Sequence, residues 1–311
     1  MADQLEKSIV ATIAYFDVFE YPVSLLELHR LLLGRRTAPS VLVELNRALQ
    51  EGRLLAKAIR RKDAFFYSRG RERLVDTRHT RFLAAEEKYK QSRRLIRLLS
   101  YVPFVRGLFV CNSMALLNAI KTSDIDLVVI TKPKGTWWAR LFCLLVLSAL
   151  RRRPGQPGGT PKICLSMFID EDHLNIGNLR MGENDIDFAY WVANFYPIYS
   201  AREVYQRFWA ANATWLSSTV PNVYPVIPHP SRVVQHREIL RPFVERLLAP
   251  FTAFARDIQW KKFPSAIRDL ANRDTRVRVE EGILKFHTND RRVEHLESFI
   301  KRYEALLSLR A

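Results

Sequence analysis

The sequence predicts an α/β (α+β) fold: a mixed-sheet core flanked by a small N-terminal module and a helical C-terminal region. Short apolar, β-branched runs at 108–111, 125–130 and 163–169 read as buried strands, and segments with apolar residues at helical spacing lie around them. The composition agrees. In 311 residues, 48% are hydrophobic and 11% aromatic, which suffices for two or three cores. With 26% charged residues and only 11 glycines, collagen-like, low-complexity and disordered classes are excluded. Four regions follow: a compact module over 1–70, a connecting helix over 71–100, the core and its following helices over 101–220, and a mainly helical stretch with a short hairpin over 221–311.

In the first region Ile9, Ile13 and Phe16 share a helical face, and Tyr21-Pro22 stops that helix. Ser24-Leu25-Leu26-Glu27 is a capping box opening a second helix that closes at Leu33-Gly34. Thr37 or Ser40 caps a third, along which Val41, Leu45 and Leu49 recur at helical spacing. Leu54 to Ser68 reads as a strand pair around the polar Arg60-Arg61-Lys62-Asp63. Three short helices followed by a basic hairpin resemble a winged-helix module. That resemblance implies a third helix, with Asn46 and Arg47, suited to a nucleic-acid groove, and hairpin bases suited to phosphate. The other reading makes this helix part of a small core and the module a contact for protein or for its neighbouring domain.

Residues 71–100 form one charged helix with an apolar stripe of Phe82, Ala85, Tyr89 and Ile96, leaving Lys88, Lys90, Arg93 and Arg94 on a solvated face. Leu108 to Cys111 is a short strand, Asn112-Ser113 a turn, and Met114 to Ile120 helical. Asp124 to Ile130 is the next strand. Residues i and i+2 of a strand point the same way, so Asp124 and Asp126 present two carboxylates side by side at its start. Like charges held so close raise each other's pKa unless a cation lies between them. Hard oxygen ligands at this spacing suit Mg²⁺ (or Mn²⁺) carrying substrate phosphates.

The turn Asn112-Ser113, a helix, and then Ser123-Asp124-Ile125-Asp126-Leu127 on the following strand resemble the nucleotidyltransferase domain of the DNA polymerase β-like superfamily. The resemblance covers roughly residues 100–175, and the module before it is similar to the N-terminal part of prokaryotic members. It implies a nucleotidyltransferase-like mixed sheet and an enzyme that moves a nucleoside monophosphate from a nucleoside triphosphate to an acceptor, here unidentified. It further implies Asp124 and Asp126 as metal-binding and catalytic carboxylates, with Asn112, Ser113 and Ser123 around the triphosphate. A third carboxylate on a neighbouring strand often activates the acceptor in that family. Asp170 is the candidate here, sharing the parity of Ser166, which stands mid-strand where an Asp or Glu is expected. Lys132, just beyond the aspartate strand, is a candidate for a phosphate or acceptor contact. Asn112 stands where the family usually has Gly, a position that asks for unusual backbone freedom.

The chemistry agrees with that assignment. Backbone N–H groups and the Ser113 hydroxyl make an anion site, and a divalent ion on Asp124 and Asp126 would offset charge as the acceptor attacks in line and pyrophosphate leaves. A second class of reading keeps the scaffold and drops the chemistry. With 49 Lys+Arg against 32 Asp+Glu the formal charge is +17, enough to bind nucleic acid or a protein partner electrostatically, and Asn112 and Ser166 favour such a catalytically silent descendant.

Several other features read as structural. Asn184-Asp185-Ile186-Asp187 repeats the Asp-Ile-Asp text, but Phe188, Trp191, Val192 and Phe195 follow at helical spacing, so Asn184 or Asp185 is a helix cap. Pro154 to Thr160 is a loop. Trp137 to Leu150 is a buried helix, too short for the roughly 17–25 residues a membrane span requires, with Arg151-Arg152-Arg153 at its C-terminal end. Ala189 to Trp215 reads as aromatic-rich helix, Val220 to Pro230 as a stiff linker and Val233 to Trp260 as helix. Two strands turn near Glu281-Gly282, and Asp290 to Leu309 is a final helix. His287 lacks partners at ligand spacing and reads as a packing residue. Cys111, Cys143 and Cys164 each lie in apolar runs, which argues against disulfides and zinc and for a reducing cytosol. The start Met1 to Lys7 is unlike a signal peptide, and no membrane partner is expected.

Overall fold

A computed structural model describes residues 2–34, 41–235 and 241–309. Thr37 and Ser40, the expected caps of the third helix, lie outside the described residues. The N-terminal part runs α1 (Ala2–Val18), β1 (Val23–Ser24), α2 (Leu25–Arg30), α3 (Val41–Glu51), α4 (Arg53–Ala58), β2 (Ile59–Lys62) and β3 (Phe65–Ser68). Its capping box is formed: the Glu27 amide donates to Ser24 Oγ at 3.3 Å and the Ser24 amide donates to Glu27 Oε2 at 2.8 Å. The strands make an antiparallel sheet in the order β1–β3–β2. The expected strand from Leu54 is corrected to begin only at Ile59. Leu54, Leu55 and Ala58 recur at helical spacing and all three are buried, so α4 fits this stretch better than a pleat would.

The long helix α5 (Leu74–Ser100) leads into the core. Its basic face is not uniformly solvated: Lys90, Arg93 and Arg94 are exposed, but Lys88 is buried and donates to the Ser123 carbonyl. Phe82, expected in the apolar stripe, is exposed.

The core contains β4 (Val105–Val110), α6 (Asn112–Ala115), β5 (Ile125–Thr131), α7 (Thr136–Ala149), β6 (Ile163–Asp170), α8 (Ile186–Ala193), β7 (Tyr196–Ser200) and α9 (Val204–Thr219). After it come α10 (Arg241–Leu248), α11 (Thr252–Lys261), α12 (Ser265–Leu270), β8 (Val277–Glu280), β9 (Ile283–Phe286) and α13 (Arg292–Ser308). Six strands form one mixed sheet in the order β7–β4–β5–β6–β9–β8, parallel only between β5 and β6. Two expectations change here. The span read as continuous aromatic helix is broken by β7, because Pro197 cannot extend α8 and is tolerated in an edge strand. The C-terminal hairpin is no separate unit: Met167, Phe168 and Ile169 of β6 pair with Lys285, Leu284 and Ile283 of β9, and α13 packs on α1. Gly282 turns that hairpin at φ +77°, where a Cβ would sit 2.1 Å from the His173 ring.

Side chains alternate across the sheet, except where register shifts in β4 and β6 reset the parity. Phe109, Val128, Ile130, Met167, Ile169 and Ile283 join the core shared with α1, α8, α9 and α13. Leu108, Val110, Ile125, Leu127, Val129, Phe168 and Leu284 face α5, α7 and α11. Asp126 has the parity of Val128, and so lies on the α1–α8 side. Among the described residues no helix is long and apolar enough to cross a membrane.

Candidate functional site

The site grows from the ends of β4, β5 and β6. Leaving β4, Cys111 donates its amide to the Asp126 carbonyl at 3.0 Å, and the chain then turns at Asn112 with φ +56°. This is the left-handed region that Gly enters freely and Asn better than most residues, so the departure from Gly is accommodated. The Asn112 side chain is fully engaged. It accepts from Trp191 Nε1 at 2.8 Å and hydrogen-bonds the Asp126 carboxylate. The helix after it is a single turn, shorter than the Met114–Ile120 stretch expected. Leu117 at φ +53° ends it, and Asn118 is held by the Phe19 carbonyl at 3.0 Å.

Asp124 sits one residue before β5 and is half-buried, as is Asp126. Burial pushes the Asp126 carboxyl above its ordinary value, hydrogen bonds from Asn112, Cys164 and Ser166 oppose that, and the Asp124 charge adds to the rise. The buried Lys88 ammonium faces Asp124. Burial holds Lys88 low while the Asp124 charge draws it back up.

Ser166 occupies the position expected of the third carboxylate, and its hydroxyl donates to Asp126 Oδ1 at 3.2 Å. The register of β6 slips here: Leu127 pairs with Leu165, but Val128 pairs with Met167. This bulge reverses the parity beyond it. Asp170 therefore does not share the face of Ser166. It pairs with Thr131 at the far end of β5, about 16 Å along the strand from Asp126 at 3.3 Å per residue. There it accepts from His173 Nδ1 at 2.6 Å and from the Asp172 and Lys134 amides at 3.1 and 3.3 Å, organising a turn. Lys132 lies at that same far end, 3.6 Å from Glu245. Neither Asp170 nor Lys132 joins the aspartate pair.

Asn112, Ser113 and Ser123 do come together, on the wall of a cleft of about 580 Å³ between α1, α6, α8 and the start of α13. Its other walls mix aromatic residues, Phe19, Phe188 and Trp191 among them, with charged ones such as Asp187, Arg292 and His295. Asp185 caps α8 by accepting from the Phe188 amide at 3.0 Å, as the sequence suggests, and also holds Arg292 at 2.6 Å. Asp187 turns into the cleft, where it meets Tyr15 and His295. His287 packs edge-on against Trp191 with centroids 5.7 Å apart, and burial pushes its pKa down to about 4. Lys88, Trp191 and the Asp187–His295 contact were not singled out from the sequence as site residues. The i, i+4 spacing of Asp187 and Trp191 was the available signal.

Cys111 and Cys164 adjoin Asp126 across the sheet, and burial drives both thiols upward, Cys164 to about 12, but sulfur is a soft ligand and Mg²⁺ takes oxygen. Among the described residues no group of three or more His, Cys, Asp and Glu side chains could hold a metal ion. Two carboxylates alone fit an ion that completes its shell with water and substrate phosphate, as Mg²⁺ does. In comparisons with family models, with curated proteins and with solved structures, the chain matches none.

Proposed function

We propose that this chain is a Mg²⁺-dependent nucleotidyltransferase that binds a nucleoside triphosphate at the head of β5 and moves its nucleoside monophosphate to an acceptor held in the cleft. The observation that carries this is the placement of Asp124 and Asp126 at the start of β5 beside the Asn112-Ser113 turn, which itself opens into the cleft. Asp124 and Asp126 would hold the ion, which when bound supplies positive charge to the phosphates. Ser113 and Ser123 line the wall along which phosphates would lie, and Asn112 fixes the Asp126 carboxylate from the side.

A second reading rests on Ser166 and on the engagement of Asn112 by Trp191: a silent scaffold that binds nucleic acid. The β1–β3–β2 sheet, with β1 between α1 and α2 and the β2–β3 hairpin following four helices, supports the winged-helix resemblance, with Arg47 exposed and Asn46 half-exposed on α3. Calorimetric titration of ATP, GTP, CTP and UTP, with and without Mg²⁺, separates the two. Micromolar, Mg²⁺-dependent binding that is lost in the Asp124→Asn/Asp126→Asn variant is expected. No binding of any nucleotide, with steeply salt-dependent binding of nucleic acid instead, would move the assignment to the second reading.

A further inference from the structure

We infer that the end of the cleft between α1, α8 and α13 is the acceptor subsite, that it takes a small hydroxyl-bearing molecule with an aromatic or apolar body, and that His295 accepts the hydroxyl proton. The inference rests on the nucleotidyl-transfer reading above and adds to it the acceptor's chemical class and the missing base.

Asp187 Oδ2 lies 2.8 Å from His295 Nδ1 and accepts from the Tyr15 hydroxyl at 3.2 Å, joining one residue from each of three helices. A carboxylate offers only acceptors, so Nδ1 carries a proton, and in the neutral ring Nε2 presents its lone pair. Among the described residues Asp187 is the one hydrogen-bond partner of that ring. The His295 side chain is 24% exposed and lines the cleft, with the Phe19 ring edge-on at 4.9 Å. Asp187 and Tyr15 are positioning residues.

This pair is linked to the phosphate side of the cleft through α8. Asp187 and Trp191 are one helical turn apart, about 6 Å between Cβ atoms, and Trp191 bonds Asn112. His295 and the Asn112-Ser113 turn line the same cleft, so an acceptor held there would turn its hydroxyl to the base at one end and toward the phosphate side at the other. The transfer balances. The acceptor O–H bond breaks as its oxygen bonds the α-phosphorus, the bond from that phosphorus to the bridging oxygen breaks, pyrophosphate leaves, and the proton goes to Nε2.

Of the other described groups lining the cleft, His287 packs edge-on against Trp191 and has no hydrogen-bonded carboxylate among the described residues to orient its ring, and the charged ones are engaged elsewhere. Ser166 spends its hydroxyl on Asp126, and Asp170 lies at the far end of the sheet. Arg81 is paired with Glu20, Arg292 with Asp185 and Asp290, and Lys285 is bonded to the Thr275 carbonyl. Arg291, which also lines the cleft, is paired with Glu294.

The test measures pyrophosphate release from an equimolar mixture of the four nucleoside triphosphates with Mg²⁺, with water and then benzyl alcohol as acceptor, in the wild type, His295→Ala, His295→Gln and Asp124→Asn/Asp126→Asn. Nucleotide affinity is measured alongside. The expected result is a loss of about 100-fold or more in both His295 variants, unchanged nucleotide affinity, and recovery of His295→Ala by added imidazole. His295→Gln keeps the size of the side chain and covers the case in which the alanine variant fails to fold. Wild-type release in the His295 variants, loss without imidazole recovery, or a wild type that binds Mg²⁺–nucleotide yet releases no pyrophosphate to either acceptor would each overturn the inference while leaving nucleotide binding in place. Absence of nucleotide binding in the wild type would instead remove the underlying reading.

Discussion

The Ser166 hydroxyl donates to Asp126 Oδ1 at 3.2 Å from the bulge of the adjacent parallel strand. Where a third acid would compete for a cation, a neutral donor steadies the acid already there. Ser166→Asp would reverse this relationship by placing a second carboxylate against Asp126. The variant is expected to lose about 1–3 kcal/mol without divalent ions and to regain stability on addition of Mg²⁺, read as a Tm that climbs with Mg²⁺ concentration. A Tm indifferent to Mg²⁺ would count against an ion at this position.

Glu245 of α10 is held by Arg106 of β4 through two bonds of 2.9 and 2.6 Å, and it also accepts from the Phe104 amide at 2.7 Å. Burial alone would raise its pKa, but these bonds and the Arg106 and Lys132 charges outweigh it and hold the carboxyl below its ordinary 4.5. A depressed carboxylate stabilises the fold fully above its unfolded pKa and loses that contribution as pH falls through the lower folded value. Glu245→Ala takes from the buried Arg106 its two closest carboxylate contacts, with Glu171 at 4.0 Å as the next, and should cost about 3–5 kcal/mol in denaturant unfolding at pH 7. The difference from wild type is expected to shrink below pH 4.5. A difference that stays constant into acid would contradict the pairing.

Lys285 gives the opposite sense. Burial, reinforced by the Arg292 charge, pushes its ammonium down to about 8 despite Asp290 and Asp185 nearby. The protonated form is disfavoured in the folded state, so wild type is relatively stronger above the unfolded pKa of 10.5 and weakens as pH falls through about 8. Lys285→Met should therefore gain on wild type as pH is lowered from about 10.5 to about 7, measured as the Tm difference between the two proteins. A gap that does not change over this range would refute the assignment.

What the sequence shows and what it hides follow from the range of the interactions. The Ser24–Glu27 box, the Asp185 cap and the strand starting at Ile125 are legible because each depends on neighbours within four residues. The candidate site is half legible for the same reason: Asn112, Ser113, Ser123, Asp124 and Asp126 lie within one short segment and stay together. Asp170 was misplaced because parity counting assumes an unbroken pleat, and the bulge at Ser166 carries no local signature. Lys88 reads as one more base on a charged helix until Ser123 is found beside it, 35 positions away. The Asp187–His295 contact spans 108 positions and has no counterpart in any local pattern.

The neighbours of β6 are made at very different times. Its pairing with β5 is available as soon as β6 exists, whereas Ile169 waits for Ile283, more than a hundred positions later. At ribosomal speeds of about 5–20 residues per second, the growing chain carries this edge unpaired for roughly 6 to 23 seconds. Met167, Phe168 and Ile169 then present open backbone and apolar side chains to other nascent chains, the situation in which strands add to the wrong partner. Translation arrested before Gly282 leaves that edge bare, so interrupted products of this sequence should be aggregation-prone even with the aspartate strand complete.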